Sequence, residues 1–421
     1  MSSSEDQANR MFLRPFMTTD KLLPRAFLFS FSLLLCGIVE AQTPSFDGFV
    51  QQPRILRNRP AEIRLLSGVR IFDTEIEAFL TDRKTGAIDF VQYADGRRKP
   101  KKKASEVYSI KIEGRPYRFR YHAPSDGLYL IDHLAAIGEA MGRLEGMGKE
   151  LRKIQDEDES EAAVEEHKTF LRSSLKKMAL PNIQIHESEF GLIVCKGPPE
   201  AAKFLGNYVD ETCRRMNSLF RLPEDTNVWH GKAIVFASTE QRDYASFETN
   251  AMNNPNFGSS SFLYHGSPKR FVIACYGKSL NKGIAKNICW AIAGGYLGRT
   301  VSNADLPVWL QTGARGWVSS AMFPDSKSYN RNKSRFSSEL RSKQSLLGIL
   351  DATDIAMERR FLTVMLVNHL IKLSPQAFGQ FFNDIKLGTP QGEALKNNFG
   401  LEEAAFVEQF GLGLGIRGLQ K

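Results

Sequence analysis

The sequence predicts an α+β protein, with an all-β stretch first and a helix-rich mixed region after it. Two patterns carry that expectation. From about Phe46 to Asp126, short runs rich in Val, Ile, Tyr and Phe (IRLLSGVRIF, AIDFVQYADG, VYSIKIEG, YRFRYHAPSDG) are punctuated at Gly86, Asp95-Gly96, Gly114 and Asp126-Gly127. Strands separated by turns read this way. From Ala179 onward, helical apolar periodicity is mixed with short continuous apolar runs, the mark of buried strands among helices. A length of 421 residues leaves room for two domains.

The first segment, residues 1–41, is expected to be a signal peptide rather than part of the fold. Lys21 and Arg25 precede an apolar run, Ala26 to Val39, and Val39-Glu40-Ala41 places small residues before Gln42. The run is shorter than the ~20 residues a membrane span needs. The long stretch ahead of it leaves Met1, Met11 and Met17 as alternative starts. The chain is therefore expected to be exported, to a periplasm, a cell envelope or the outside.

Residues 42–127 then read as a small antiparallel β module of four or five strands. Within it, RRKPKKK places six cations around Pro100: Arg97, Arg98, Lys99, Lys101, Lys102 and Lys103. Such a run suits an anionic envelope polymer, and equally a solvated loop whose like charges repel and whose proline forgoes a ladder bond. Residues 128–178 read as a charged helical connector. In its second half, Asp156 to Met178, acidic residues come first and basic ones last, which suits the helix dipole.

Residues 179–418 read as one domain. IQIHESEFGLIVCKG holds two strands. PPEAAKFLGNYVDETCRRMNSLF places Ala202, Leu205, Val209, Cys213, Met216 and Phe220 on one helical face. Lys232–Ser238 and Arg270–Gly277 are buried-strand runs, and the Asn-, Ser- and Gly-rich stretch between them reads as a long loop. Ile284–Leu297 is a buried helix, followed by amphipathic helices at Met357–Leu373 and in PQAFGQFFNDIKLG.

The chemistry-bearing residues are sparse. The net charge of +9 needs no nucleic-acid partner, since a solvated surface accounts for it. Cys195, Cys213, Cys275 and Cys289 show no CxxC spacing, which argues against a zinc-thiolate site. They allow three disulfide pairings, and they also suit small buried apolar positions. There is no GxSxG elbow and no Walker A loop. GLGIRG (Gly413 to Gly418) matches a dinucleotide fingerprint by letters, but only three residues follow it; it reads as a flexible tail. HESE (His186 to Glu189) reads as a solvated strand end.

The order of elements resembles the gluzincin-type metallopeptidase domains, the peptidase MA-like group. A helix ending near LFRLP leads into KAIVFAS; RFVIACYG precedes a small-residue helix; LPVWLQTGARGWV follows. FLTVMLVNHLI, FGQFFNDIKLG and GEALKNNFGLEEAAFVEQF complete the match. The resemblance implies a zincin-like domain, a mixed sheet plus helices. It also places the family's zinc chemistry on residues that cannot perform it. The His-Glu-x-x-His positions fall at Trp290, Ala291 and Gly294, and the third-ligand position at Thr312. Zinc needs imidazole or carboxylate donors and a general base. No register slip helps, because Lys278 to Leu310 holds no His or Glu and only one carboxylate, Asp305. No two of the seven histidines stand three or four apart. No catalytic residue, metal or cofactor is therefore expected.

The resulting expectation is an exported, non-catalytic protein on a metallopeptidase-like fold. It would bind a peptide, a protein or an envelope component in a cleft near Tyr264, His265 and Trp309. Trp290 is expected to pack in the floor of that cleft. Two alternatives are a secreted hydrolase with a relocated site, and a structural envelope protein acting through its β module and basic run.

Overall fold

The computed structural model describes residues 48–152, 157–180, 183–196, 198–258 and 260–421. The expected signal peptide, residues 1–41, lies outside the described residues. The fold is mixed α+β, with two sheets.

The first sheet holds β1 (Pro60–Leu65), β2 (Arg70–Thr81), β3 (Ile88–Tyr93), β4 (Lys101–Lys103), β5 (Val107–Ile112), β6 (Arg115–His122) and β7 (Gly127–Asp132). All neighbours are antiparallel, in the order β4-β3-β2-β1-β5-β6-β7. Alternation puts Ile63, Ile76, Val91, Ile110 and Leu130 on one buried face. The sheet curls into a half-barrel, and the Tyr129 hydroxyl on β7 donates to the Thr85 carbonyl before β3 at 2.8 Å.

Seven strands stand where four or five were expected. β7 runs to Asp132, past the expected boundary at 127, and the basic run supplies β4, which pairs with β3. Pro100 does not prevent this. A proline lacks the donor but keeps its acceptor, and the Pro100 carbonyl accepts from the Tyr93 amide at 3.1 Å.

Asp132 caps α1 (His133–Gly146), its carboxylate accepting from the Leu134 amide at 3.0 Å. Next comes α2 (Glu157–Lys177). It is not a free-standing connector, because Val164, Leu171 and Leu175 pack on the second sheet. Those residues stand seven and four apart, a narrow stripe that the surrounding charges conceal.

The second sheet contains β8 (Ile185–Glu187), β9 (Gly191–Lys196), β10 (Ala233–Ser238), β11 (Phe262–Gly266) and β12 (Phe271–Tyr276), ordered β11-β12-β10-β9-β8. β9, β10 and β12 are parallel, and both edge strands run antiparallel to their neighbours. Every residue of β10 is buried, as expected of a strand covered on both faces. One face carries α3 (Pro199–Leu219) and α5 (Lys282–Arg299); the other carries α2 and α4 (Gln241–Asn250). The stripe from Ala202 to Phe220 is buried throughout.

Six helices build outward from α5: α6 (Val308–Met322), α7 (Ser326–Lys343), α8 (Arg360–Leu373), α9 (Pro375–Lys386), α10 (Gln391–Phe399) and α11 (Glu403–Gly413). The C-terminal stretch is not a loose tail. Ile416 and Leu419 are buried, and the Gln420 amide donates to the Gln344 carbonyl at 2.9 Å. The four cysteines are buried and unpaired. Burial pushes the Cys195 thiol up to about 11 and those of Cys275 and Cys289 up to about 12. Among the described residues, no helix is long and apolar enough to cross a membrane.

Polar contacts tie the first sheet to the helices and connections beside it. Arg120 on β6 pairs with Asp384 on α9 at 2.5 Å, Arg64 pairs with Asp225 at 2.9 Å, and Arg221 donates to the Ser105 carbonyl at 2.6 Å.

Candidate functional site

β11 grows out of a stretch that reads as loop. It has only five residues, and its glycine and neighbouring serines hide the alternation of Phe262, Tyr264 and Gly266. Pairing with β12 makes it a strand, with Leu263 opposite Ala274, Tyr264 opposite Ile273 and His265 opposite Val272. Successive strand side chains point to opposite faces, so Tyr264 and His265 part company. Tyr264 turns toward α5 and meets the Trp290 ring edge-on, centroids 6.4 Å apart. His265 turns toward α4, its Nε2 3.0 Å from a Glu248 carboxylate oxygen. That carboxylate is fully buried and also accepts from Asn254 at 2.7 Å. The two residues therefore do not share one cleft.

Trp309 does not line the cleft either. It is 1% exposed, and its indole nitrogen donates to the Gln391 side chain at 2.7 Å. As the second residue of α6 it faces α10 and the Phe406 ring, so it belongs to the core.

What remains is a candidate cleft where Tyr264 of the edge strand β11 meets Trp290 on one face of α5, with Arg315 of α6 behind. Asn287, Trp290 and Gly294 are three and four residues apart, which aligns them on that face. Trp290 is half-buried, Ala291 is fully buried in the core, and Gly294 and Thr312 are partly exposed. At the start of α5, one turn from Trp290, lies a hollow of about 320 Å³, lined in part by Phe262, Lys278, Asn281 and Asn287.

The centre of the cleft belongs to a residue that the sequence reading passed over. Arg315, on α6, lays its guanidinium across Gly294 and against Trp290. Its Cζ is 3.3 Å from the Trp290 ring centroid and 5.6 Å from that of Tyr264. Its Nε donates to the Trp290 carbonyl at 3.2 Å. Gly294 is required here, since a Cβ at that position would stand 2.5 Å from Arg315 Cζ. The one available signal was that Arg315, between Gly313 and Gly316, is the only charged residue of its helix.

Arg315 is 8% exposed. Burial pulls its pKa down; Tyr264 counters this through its charge and a side-chain hydrogen bond, and the like charge of Arg360 adds to the lowering. Among the described residues, no carboxylate comes within ion-pair distance of it, and its Nη2 is buried without a hydrogen-bond partner. A guanidinium stacked on an aromatic face gains cation–π attraction, yet a buried donor left unpaired carries a desolvation cost. Arginine cannot act as a general base, since it stays protonated. Its chemistry is to hold an anion.

No three His, Cys, Asp or Glu side chains gather closely enough to hold a metal ion among the described residues. No protein-family model matches this chain, and no curated protein matches it. The likeness to gluzincin-type domains rests on the order of elements and the motifs quoted above.

Proposed function

We propose that the chain is an exported, non-catalytic binding protein on a zincin-like framework, and that its cleft receives an extended peptide segment as an added strand beside β11. The observation that carries this reading is the Arg315–Trp290–Gly294 stack. At the place where the resemblance puts a metal and a general base, an arginine side chain lies on a tryptophan ring. The sequence β12, α5, α6 supports the framework, as does an antiparallel strand at the sheet edge. An edge strand presents unpaired amides and carbonyls, and an extended peptide can satisfy them.

The reading is tested with an array of random-sequence decapeptides, probed with the full chain. Binders are then remade with N-methyl groups on alternate peptide nitrogens. Strand addition uses every second amide, so one methylated set should lose binding while the other keeps it. An array without binders, or binders indifferent to both sets, would defeat the reading.

The hydrolase alternative predicts stoichiometric zinc retained after dialysis if its chemistry is metal-dependent, and elemental analysis checks this. The basic run offers weaker support for a polymer-binding role. Lys99 pairs with Glu77 at 2.9 Å and Lys101 sits 4.6 Å from the Phe90 ring centroid, so part of its charge is engaged within its own sheet.

A further inference from the structure

We infer that Arg315 is the anion-reading residue of this cleft, and that its ligand is a carboxylate carried by an acidic, extended peptide. The inference rests on the strand-addition reading and names the chemistry of its occupant.

Three independent observations converge on it. The first is the unfilled donor already described: a cation more than nine-tenths buried, with Nη2 lacking any partner and no carboxylate within reach among the described residues. The cation nearest it in influence, Arg360, only adds like charge. An anion would complete this site.

The second is the distribution of charge. Residues 278–322, which supply α5 and α6, hold five Lys and Arg against one carboxylate, Asp305. That 45-residue stretch carries a net +4 of the chain's +9. The two helices that build the cleft thus carry an excess of positive charge, and a basic cleft draws anionic partners to it.

The third is geometry. The indole covers a face of the guanidinium, whereas a carboxylate pairs with its edge, in the plane. Stack and ion pair can therefore coexist. Tyr264 is 44% exposed, stands 5.6 Å from the guanidinium carbon and hydrogen-bonds Arg315 through its side chain, so its ring stands over the approach. A peptide added beside β11 would send every second side chain to the α5 side, the side of Tyr264. Lys278 waits in the hollow at the far end. From Asn287 to Gly294 the helix rises about 10 Å, roughly three residues of extended chain. Alternating acidic residues would thus meet the cleft along its length.

The test compares two decapeptides, alternating Glu-Val and alternating Gln-Val, titrated into the full chain and read by calorimetry and tryptophan fluorescence. The Glu-Val peptide should bind at least about tenfold tighter. Arg315→Gln should erase that preference while keeping the Gln-Val affinity, and Arg315→Lys should retain only part of it. Paired charge reversals on α7, Lys333→Glu with Arg335→Glu, should leave the preference within about twofold. If Arg315→Gln fails to fold, Gly294→Ala serves instead, since it displaces the guanidinium without deleting it. Equal binding of the two peptides, or a preference that survives Arg315→Gln, would overturn the assignment while leaving strand addition standing. The same holds for a preference erased by the α7 reversals alone. If neither peptide binds and the array yields no binders, the strand-addition reading itself fails.

Discussion

Lys386 and Arg315 are both cations buried without a carboxylate, 1% and 8% exposed respectively, yet the fold treats them differently. Lys386 ends α9 and is closed in by its surroundings. Its amine donates to the Ala304 carbonyl at 2.8 Å, and its own carbonyl accepts from the Ser302 hydroxyl. That hydroxyl in turn accepts from the Ala304 amide at 3.1 Å. Burial pushes the Lys386 amine down to about 8, with Arg152 acting in the same direction and Asp305 against it. Arg315 instead keeps an empty donor beneath a partly exposed tyrosine. A buried charge alone does not mark a site. An unfilled donor beneath an exposed ring does, and substitutions in the Lys386 seam and in the cleft should separate into stability effects and binding effects.

The largest effect is expected in the seam. Asp384 on α9 pairs with Arg120 and accepts from Asn398 at 2.8 Å. Asp384→Ala removes a buried carboxylate to which a half-buried guanidinium and a buried amide both donate, which should cost about 3 kcal/mol in urea unfolding. The Glu-Val preference of the cleft should not change. A cost below about 1 kcal/mol would show that the seam is not closed in the sense argued here.

Lys386→Met comes next, and its sign depends on pH. The folded amine titrates near 8 and the unfolded one near its ordinary 10.5. Between those values the unfolded chain holds a proton that the folded chain has released, so the wild type gains stability as pH rises. The gain should approach about 3 kcal/mol across that window. Methionine has nothing to titrate, so the variant should be the more stable protein at pH 7, by up to about 2 kcal/mol after loss of one hydrogen bond, and should lose that advantage by pH 10.5. A stability difference that stays flat from pH 7 to 10.5 would remove Lys386 from the account.

The same contrast sets how much could be read from the chain alone. Where one period ruled and the apolar residues did the packing, the sequence was explicit. The α3 stripe from Ala202 to Phe220, the all-buried strand β10 and the small-residue helix α5 are of this kind. Elements held by pairing rather than by apolar burial were concealed. β4 is three lysines whose place depends on β3, and β11 is five residues defined by β12. α2 hides its stripe among charges. The site divides the same way. Trp290, Gly294 and Tyr264 were singled out from the sequence and do meet, but Trp309 lies in the core and His265 on the opposite face. The residue that joins the first three, Arg315, is distant from them in sequence, and only the packing of α6 on α5 brings it there.

Two glycine substitutions sharpen the comparison at its smallest scale. Gly313 on α6 faces backbone: a Cβ there would meet the Thr363 carbonyl oxygen at 2.5 Å and the Val367 side chain at 2.6 Å. Neither helix can yield without losing the α6–α8 contact, so Gly313→Ala should destabilise by about 2 kcal/mol. Gly294 meets an equally short distance, but the atom in the way is Arg315 Cζ, near the end of a flexible side chain. The helix-propensity gain of about 1 kcal/mol for Gly to Ala offsets much of the disturbance, and stability should stay within about 1 kcal/mol of wild type. Displacing the guanidinium from the Trp290 ring should nonetheless change tryptophan fluorescence and lower the preference for the acidic peptide. If Gly294→Ala instead costs as much as Gly313→Ala, the arginine is wedged as firmly as a backbone, and the cleft is a structural joint like the one at Lys386.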